Sequence, residues 1–298
     1  MEVSDGIYSF TPDVLPKTSF PYASLFAVTG EGVLAIDSMD AVHSAAFLED
    51  IKKTTVEPIK YLVHTHNHWD HNGGNYLFRL EGAQLVAHQD AADWMRLHPH
   101  GDMLVPDTVW SGEPVQIDLG NLTTQVETKT FFKKISILKL FLQLYYTGVN
   151  HGKGMTVVYF PEHKLIYSAD LVMPKRVIFA VVPDFNIQEW MRTLEDMLEL
   201  DFDKGIFTHS SLPDPIAPAS RQDVMDILQF LKDLRNTVLG ELVKGKNPFD
   251  IAKELKLPAY EDWVGYDEFL PMNIWKIMME ELLGPYPVQD FHKRELIE

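Results

Sequence analysis

The chain has 298 residues, 46% hydrophobic and 23% charged, with 17 Gly and 18 Pro, a composition that supports a buried core and excludes disordered and collagen-like classes. Its 26 Lys and Arg stand against 43 Asp and Glu, and the resulting net charge of −17 repels phosphate backbones and argues against a nucleic-acid partner. With no Cys in the chain, disulfides, thiolate nucleophiles, zinc fingers and iron–sulfur clusters are excluded, so any transition metal must be held by His and carboxylate side chains.

At about 150 residues per domain, the length fits one large domain, or one domain with an appendage. Met1 to Phe10 lacks a basic stretch followed by an apolar run, and no segment reaches the roughly 18 apolar residues of a membrane span. The chain therefore reads as cytoplasmic, although a signal peptide removed beforehand would leave the same sequence.

Short β-rich runs come first: Ser24 to Thr29, Gly32 to Asp37 and Ile59 to Thr65, with a helical stretch over Ala41 to Lys53 between the last two. A helix is expected over Gln89 to Leu97, then strands at Val115 to Ile117 and Leu122 to Glu127. Ile135 to Tyr146 is apolar and edged by Lys133, Lys134 and Lys139, which reads as a buried strand, the alternative being a membrane-surface element. Strands follow at Met155 to Phe160 and Leu165 to Ser168. Asn186 and Glu189 fit a capping box ahead of a helix whose apolar face is Ile187, Trp190, Met191, Leu194, Met197 and Leu198.

Past Pro213, Pro215 and Pro218 the pattern becomes helical. Ser220 and Asp223 open a helix that Gly240 is expected to close, a second follows Asn247 with Pro248 at its first position, and a third is expected from Pro271 to Gly284. The expected organisation is a mixed α/β domain over 1–219 and a helical extension packing on it over 220–298.

The densest chemistry lies in His64-Thr65-His66-Asn67-His68-Trp69-Asp70-His71. On leaving a strand after Val63, the alternate residues His66 and His68 project to one side, and the turn toward Gly73-Gly74 brings Asp70 and His71 onto a neighbouring position. Two adjacent ligand sets result. His64 shares the parity of His66, but three alternate ligands would reach too far for one tetrahedral ion. It is read as a buried hydrogen-bonding residue behind the ligands, as is the carboxylate of Asp37.

The motif His66-x-His68-x-Asp70-His71, with Gly73-Gly74 after it and the Gly32-Val33-Leu34-Ala35-Ile36-Asp37 strand before it, resembles the metallo-β-lactamase superfamily over about residues 5 to 215. The resemblance implies an αββα sandwich with metals at one edge and points to three later ligands: His151 before the Met155 strand, Asp170 after Leu165-Ile166-Tyr167-Ser168-Ala169, and His209 after Gly205-Ile206-Phe207-Thr208. By the family pattern His66, His68 and His151 hold one metal, Asp70, His71 and His209 hold the other, and Asp170 bridges them. Thr208-His209-Ser210 departs from the Gly-His-Gly turn usual in the family.

Imidazole and carboxylate without sulfur suit two Zn2+ per chain, with Mn2+ or iron as other loadings. Two such ions share a water and lower its pKa to about neutrality, and the hydroxide attacks a carbonyl, with Asp70 orienting it as the catalytic carboxylate. Dedicated β-lactamases in the family carry Cys or Ser where Asp170 stands, so the resemblance favours ester or lactone hydrolysis, with thioester or β-lactam hydrolysis as neighbouring activities. The alternatives are a sulfate-ester or phosphodiester hydrolase and an iron-loaded oxygen-handling redox enzyme. The substrate is expected to be a small molecule met by Phe20, Tyr22, Trp69 and Phe179, with Phe185 as further apolar surface and Lys175 and Arg176 as carboxylate contacts. A homodimer is left open. His43, His88, His98, His100, His163 and His292 read as ordinary polar residues. Gly148 to Gly154 imitates a phosphate-binding loop but is one residue short and lacks the metal-binding hydroxyl.

Overall fold

The computed structural model describes residues 1–12, 21–111, 132–137, 140–179, 185–212 and 217–284. The strands expected at Val115 to Ile117 and Leu122 to Glu127 lie outside these, as does Phe20.

The first sheet runs in chain order through β1 (Glu2–Ser4), β2 (Ile7–Phe10), β3 (Ser24–Val28), β4 (Val33–Ile36), β5 (Ile59–Val63), β6 (Gln84–His88) and β7 (Thr108–Trp110). It is antiparallel up to β4 and parallel beyond it. The parallel part needs crossovers, which α1 (Ser44–Thr54), the short turns α2 (Trp69–Asn72) and α3 (Asn75–Leu80), and α4 (Gln89–Leu97) provide. The second sheet has the spatial order β12 (Lys204–Phe207), β11 (Leu165–Ser168), β10 (Thr156–Phe160), β9 (Leu140–Tyr146), β8 (Phe132–Ile137).

Side-chain parity sets the layers. Leu25, Ala27, Leu34 and Ile36 point into the space between the sheets, while Phe26, Val33 and Ala35 point outward onto Phe47, Leu48 and Ile51 of α1 and Phe78 of α3. The second sheet buries residues of both parities, Val157 with Val158 and Ile166 with Tyr167, in one cluster with residues of α5 (Ile187–Leu198), α6 (Arg221–Val243) and α8 (Tyr266–Leu283). Helices thus cover the outer face of each sheet, giving the expected αββα sandwich, and α6, α7 (Pro248–Glu254) and α8 form the expected helical extension.

Three expectations need correction. The apolar run ending at Tyr146 is a pair of antiparallel strands, β8 and β9, with Ile135 opposite Leu142, and not a single strand. Helix α6 continues through Gly240 to Val243 and stops before Gly245, which takes φ +77°. Gly240 costs helix propensity without ending the helix, because it keeps helical backbone and has open space around it. Helix α8 begins at Tyr266 after Gly265 (φ +77°), leaving Pro271 inside it. The buried stripe Tyr266, Phe269, Leu270, Asn273 and Ile274 spans the proline, and the carbonyl that Pro271 leaves without a donor belongs to the exposed Asp267.

Asn186 does cap α5, accepting the Glu189 N–H at 3.1 Å, but the reciprocal half of the capping box is replaced. The Asn186 N–H donates instead to the carbonyl of Asn150 at 2.7 Å, tying the helix start to the loop that carries His151.

Candidate metal centre

At the edge of the sandwich, strand ends from both sheets deliver their polar residues to one place. The chain turns out of β4 at Asp37, which adopts φ +53°, and its carboxylate accepts the Thr65 N–H and hydroxyl at 2.8 Å each and the Tyr167 hydroxyl at 3.1 Å. That fixes the start of the histidine loop beyond β5. The Asn72 amide donates to the carbonyls of His66 (2.5 Å) and His68 (2.9 Å), closing the loop onto α2, and Asn67 accepts the Lys153 N–H at 2.6 Å. Gly152 packs so closely that a Cβ there would lie 2.8 Å from Asn67 Oδ1 and 2.9 Å from His66 Cδ2.

All seven expected ligands converge in two groups that share one residue. His66, His68, His151 and Asp170 form the first, and Asp70, His71, Asp170 and His209 the second, with the donor atoms of each group within 4.8 Å of one another. Asp170, at the end of β11, lies between them. Its Oδ2 is 2.8 Å from His151 Nε2 and 3.7 Å from His66 Nε2, its Oδ1 is 3.2 Å from His209 Nε2, and His71 Nε2 lies between the two oxygens, 3.1 Å from Oδ1 and 3.2 Å from Oδ2.

Three of the rings have a partner on the other nitrogen. His66 Nδ1 lies 3.0 Å from the Thr65 hydroxyl, His71 Nδ1 lies 3.4 Å from Asp37 Oδ2, and His209 Nδ1 lies 2.8 Å from the Pro21 carbonyl. In every case Nε2 faces Asp170. His151 is backed by Phe185 at 4.4 Å and Trp190 at 5.1 Å between ring centroids, and its backbone N–H donates to Asn150 Oδ1 at 2.6 Å.

His66 titrates well below its ordinary range because it is buried and stands beside His71 and His68. It therefore presents a neutral ring whose buried Nε2 makes no hydrogen bond. Burial alone would also lower His209, but Asp170 outweighs it and raises the ring to about 9. Burial pushes the Asp70 carboxyl up, and His71 and His209 reverse this to hold it at about 2. A lone pair aimed at no donor, among carboxylates balanced by histidine protons, fits a site for divalent cations.

His64 stands apart from both groups, with Nε2 2.9 Å from the Asn75 amide and Nδ1 3.3 Å from the Val86 carbonyl. It is the buried hydrogen-bonding residue expected. A cavity of ≈ 370 Å³ opens onto the centre, and its walls include Tyr22, Trp69, Phe179 and Met173. Met173 had no signal in the sequence. Lys175 and Arg176 do not line this cavity, contrary to expectation. Lys175 Nζ lies 3.9 Å from Asp226 and 5.8 Å over the Trp263 ring, and Arg176 is buried with its Nε donating to Ser211 at 2.8 Å. Phe185 is fully buried behind His151 and offers no cavity surface.

The model of the metallo-β-lactamase superfamily matches residues 20–209. The 2,4-dinitroanisole O-demethylase subunit alpha of Nocardioides sp. (strain JS1661) is 27% identical over 276 residues, covering 89% of this chain and 76% of that protein. Similar solved structures include a metallo-β-lactamase from Pontibacter korlensis (TM-score 0.61, 19% identity, 78% of this chain and 97% of that one). Another is a metallo-β-lactamase from Hirschia baltica (TM-score 0.59, 17% identity, 78% and 96%). At such identities the structures speak for the fold, and the family match speaks for more than half the chain: the protein belongs to the metallo-β-lactamase superfamily.

Proposed function

We propose that the protein is a dinuclear zinc hydrolase that cleaves a small carboxylic ester or lactone. The observation that carries this is Asp170, which both groups share, with Oδ2 toward His151 and Oδ1 toward His209. His66, His68, His151 and Asp170 would hold one ion, and Asp70, His71, His209 and Asp170 the other. When bound, such a pair supplies Lewis acidity and a water of lowered pKa.

The chain's own residues do the rest. Asp70 is ionised at neutral pH and partly exposed on the cavity wall, so its carboxylate accepts a hydrogen bond from the incoming water and orients it. Burial and the Asp70 carboxylate raise the Tyr22 hydroxyl above its ordinary range, so it stays protonated and can donate to a substrate oxygen. Trp69, Met173 and Phe179 supply apolar walls that restrict bulk water and accept an apolar portion of the substrate.

A second reading, cleavage of an aryl methyl ether, is favoured by the O-demethylase relative, and its description as subunit alpha would give this chain a partner subunit. Sulfate esters and phosphodiesters rank lower, polynucleotides lowest because of the net charge of −17, and an iron-loaded redox role ranks below hydrolysis.

The test is metal content per chain together with turnover of esters, lactones, thioesters, sulfate esters, phosphodiesters, an aryl methyl ether and a chromogenic cephalosporin. Metal-dependent turnover of esters or lactones is expected. Activity confined to the phosphodiester would overturn the assignment, and activity confined to the ether would install the second reading.

A further inference from the structure

A second cavity, of ≈ 620 Å³, lies beside the metal cleft and is walled by Asp40, His43, Trp69, Gly73, His100 and Asp102, among others. Trp69 is the residue the two cavities share. It sits between the ligands His68 and Asp70 yet is 51% exposed, an unusual state for an indole on a small rigid turn. Its ring is not loose: it stacks on His100 at 5.1 Å with 20° between the planes, on a loop that follows α4. One face of the indole is therefore held by His100, and the ring is fixed before any ligand arrives, which lowers the ordering cost of binding another ring against it.

The polar groups of this cavity narrow the ligand further. Asp40 is already engaged, with Oδ1 accepting the N–H groups of Val42 and His43 and Oδ2 lying 2.8 Å from His43 Nδ1. His43 Nδ1 is occupied by this contact. The remaining carboxylate, Asp102, and the chain's net charge of −17 disfavour an anionic group.

The geometry points to a second subsite, centred on the Trp69–His100 stack, that receives an uncharged aryl group of the substrate while the bond to be cleaved lies in the metal cleft. Aryl esters are thus preferred over alkyl esters of similar size, with Trp69 setting the preference. This deepens the ester hydrolase reading and rests on it for the reaction, though not for the binding of the ring.

Metal-loaded wild type, Trp69→Ala, Trp69→Phe and His100→Ala are compared on phenyl butyrate and cyclohexyl butyrate, and by calorimetric titration with phenol, after their metal contents have been matched. Trp69→Ala and His100→Ala should raise KM for the phenyl ester about threefold to tenfold and weaken phenol binding by a similar factor. In His100→Ala, KM for the cyclohexyl ester should change less than about twofold and kcat should hold; in Trp69→Ala, which also removes a wall of the metal cleft, the cyclohexyl KM should rise less than the phenyl KM, and Trp69→Phe should recover most of the phenyl-ester loss. If Trp69→Ala loses metal, His100→Ala carries the comparison, since His100 touches no ligand group. Equal changes on the two esters, or phenol binding that neither variant alters, would overturn the subsite. Absence of turnover on both esters and on lactones in wild type would overturn the hydrolase reading instead, and the phenol titration would still decide the subsite.

Discussion

The carboxylate of Glu280, on α8, accepts the backbone N–H of Ile187 through both oxygens at 3.1 Å each, and Ile187 is the first residue of α5. A helix of the carboxy-terminal extension thereby satisfies an orphan donor of the helix that backs His151. Glu280→Ala leaves that buried N–H unpaired and should cost about 1–3 kcal/mol in denaturant unfolding. Glu280→Gln, which keeps an acceptor, should cost less.

Glu280 also imposes a pH dependence. Burial raises its carboxyl above the ordinary value of 4.5, against the opposing hydrogen bond from Ile187 and the nearby Lys276. The folded state therefore holds the proton more tightly than the unfolded one. The stability this contributes is fully present below about pH 4.5 and is lost as pH rises through the raised folded value. A wild-type minus Glu280→Gln difference in unfolding free energy should fall with rising pH across that window; a flat difference would show that the carboxyl is not perturbed.

His88 works in the opposite direction. Burial, which Asp90 and Asp93 offset only in part, lowers it from 6.5 to about 4, and its ring stacks on Tyr146 at 3.6 Å. Stability linked to the neutral ring is complete above about pH 6.5 and is lost as pH falls toward 4, since the unfolded chain takes up the proton first. Melting temperatures of wild type and His88→Phe should diverge across this interval, with the variant losing less on acidification.

Asp37 touches no candidate metal position yet lies 3.4 Å from His71 Nδ1 and anchors Thr65, so Asp37→Asn should weaken metal affinity by about 10- to 100-fold. His64→Ala should lower stability while retaining the wild-type metal content, because its nitrogens are used by Asn75 and Val86 and not by the centre. Competition with a chelator of known affinity separates the two. Loss of one metal in His64→Ala would move it into the ligand set.

The legible part of the molecule is the part written in local signals. His66, His68, Asp70 and His71 announce themselves by spacing, and β3, β4 and β5 by short β-rich runs bounded by turn residues. His151, Asp170 and His209 lie far along the chain and were found through the family resemblance, since nothing in the spacing of lone residues brings them to the centre. Helix ends depart from the local signals at Gly240 and Pro271, where a buried stripe overrides a local breaker. Lys175 and Arg176 stand off the described cavity lining for a related reason: their partners, Asp226, Trp263 and Ser211, are supplied by tertiary packing that no short segment records.

In the proposed centre Asp170 stands between two ions, and anomalous scattering from crystals of the zinc-loaded protein tests this directly. Two peaks roughly 3.5–4 Å apart are predicted, one on each side of the Asp170 carboxylate. A single peak, or a pair that leaves either Asp170 oxygen uncoordinated, would contradict it.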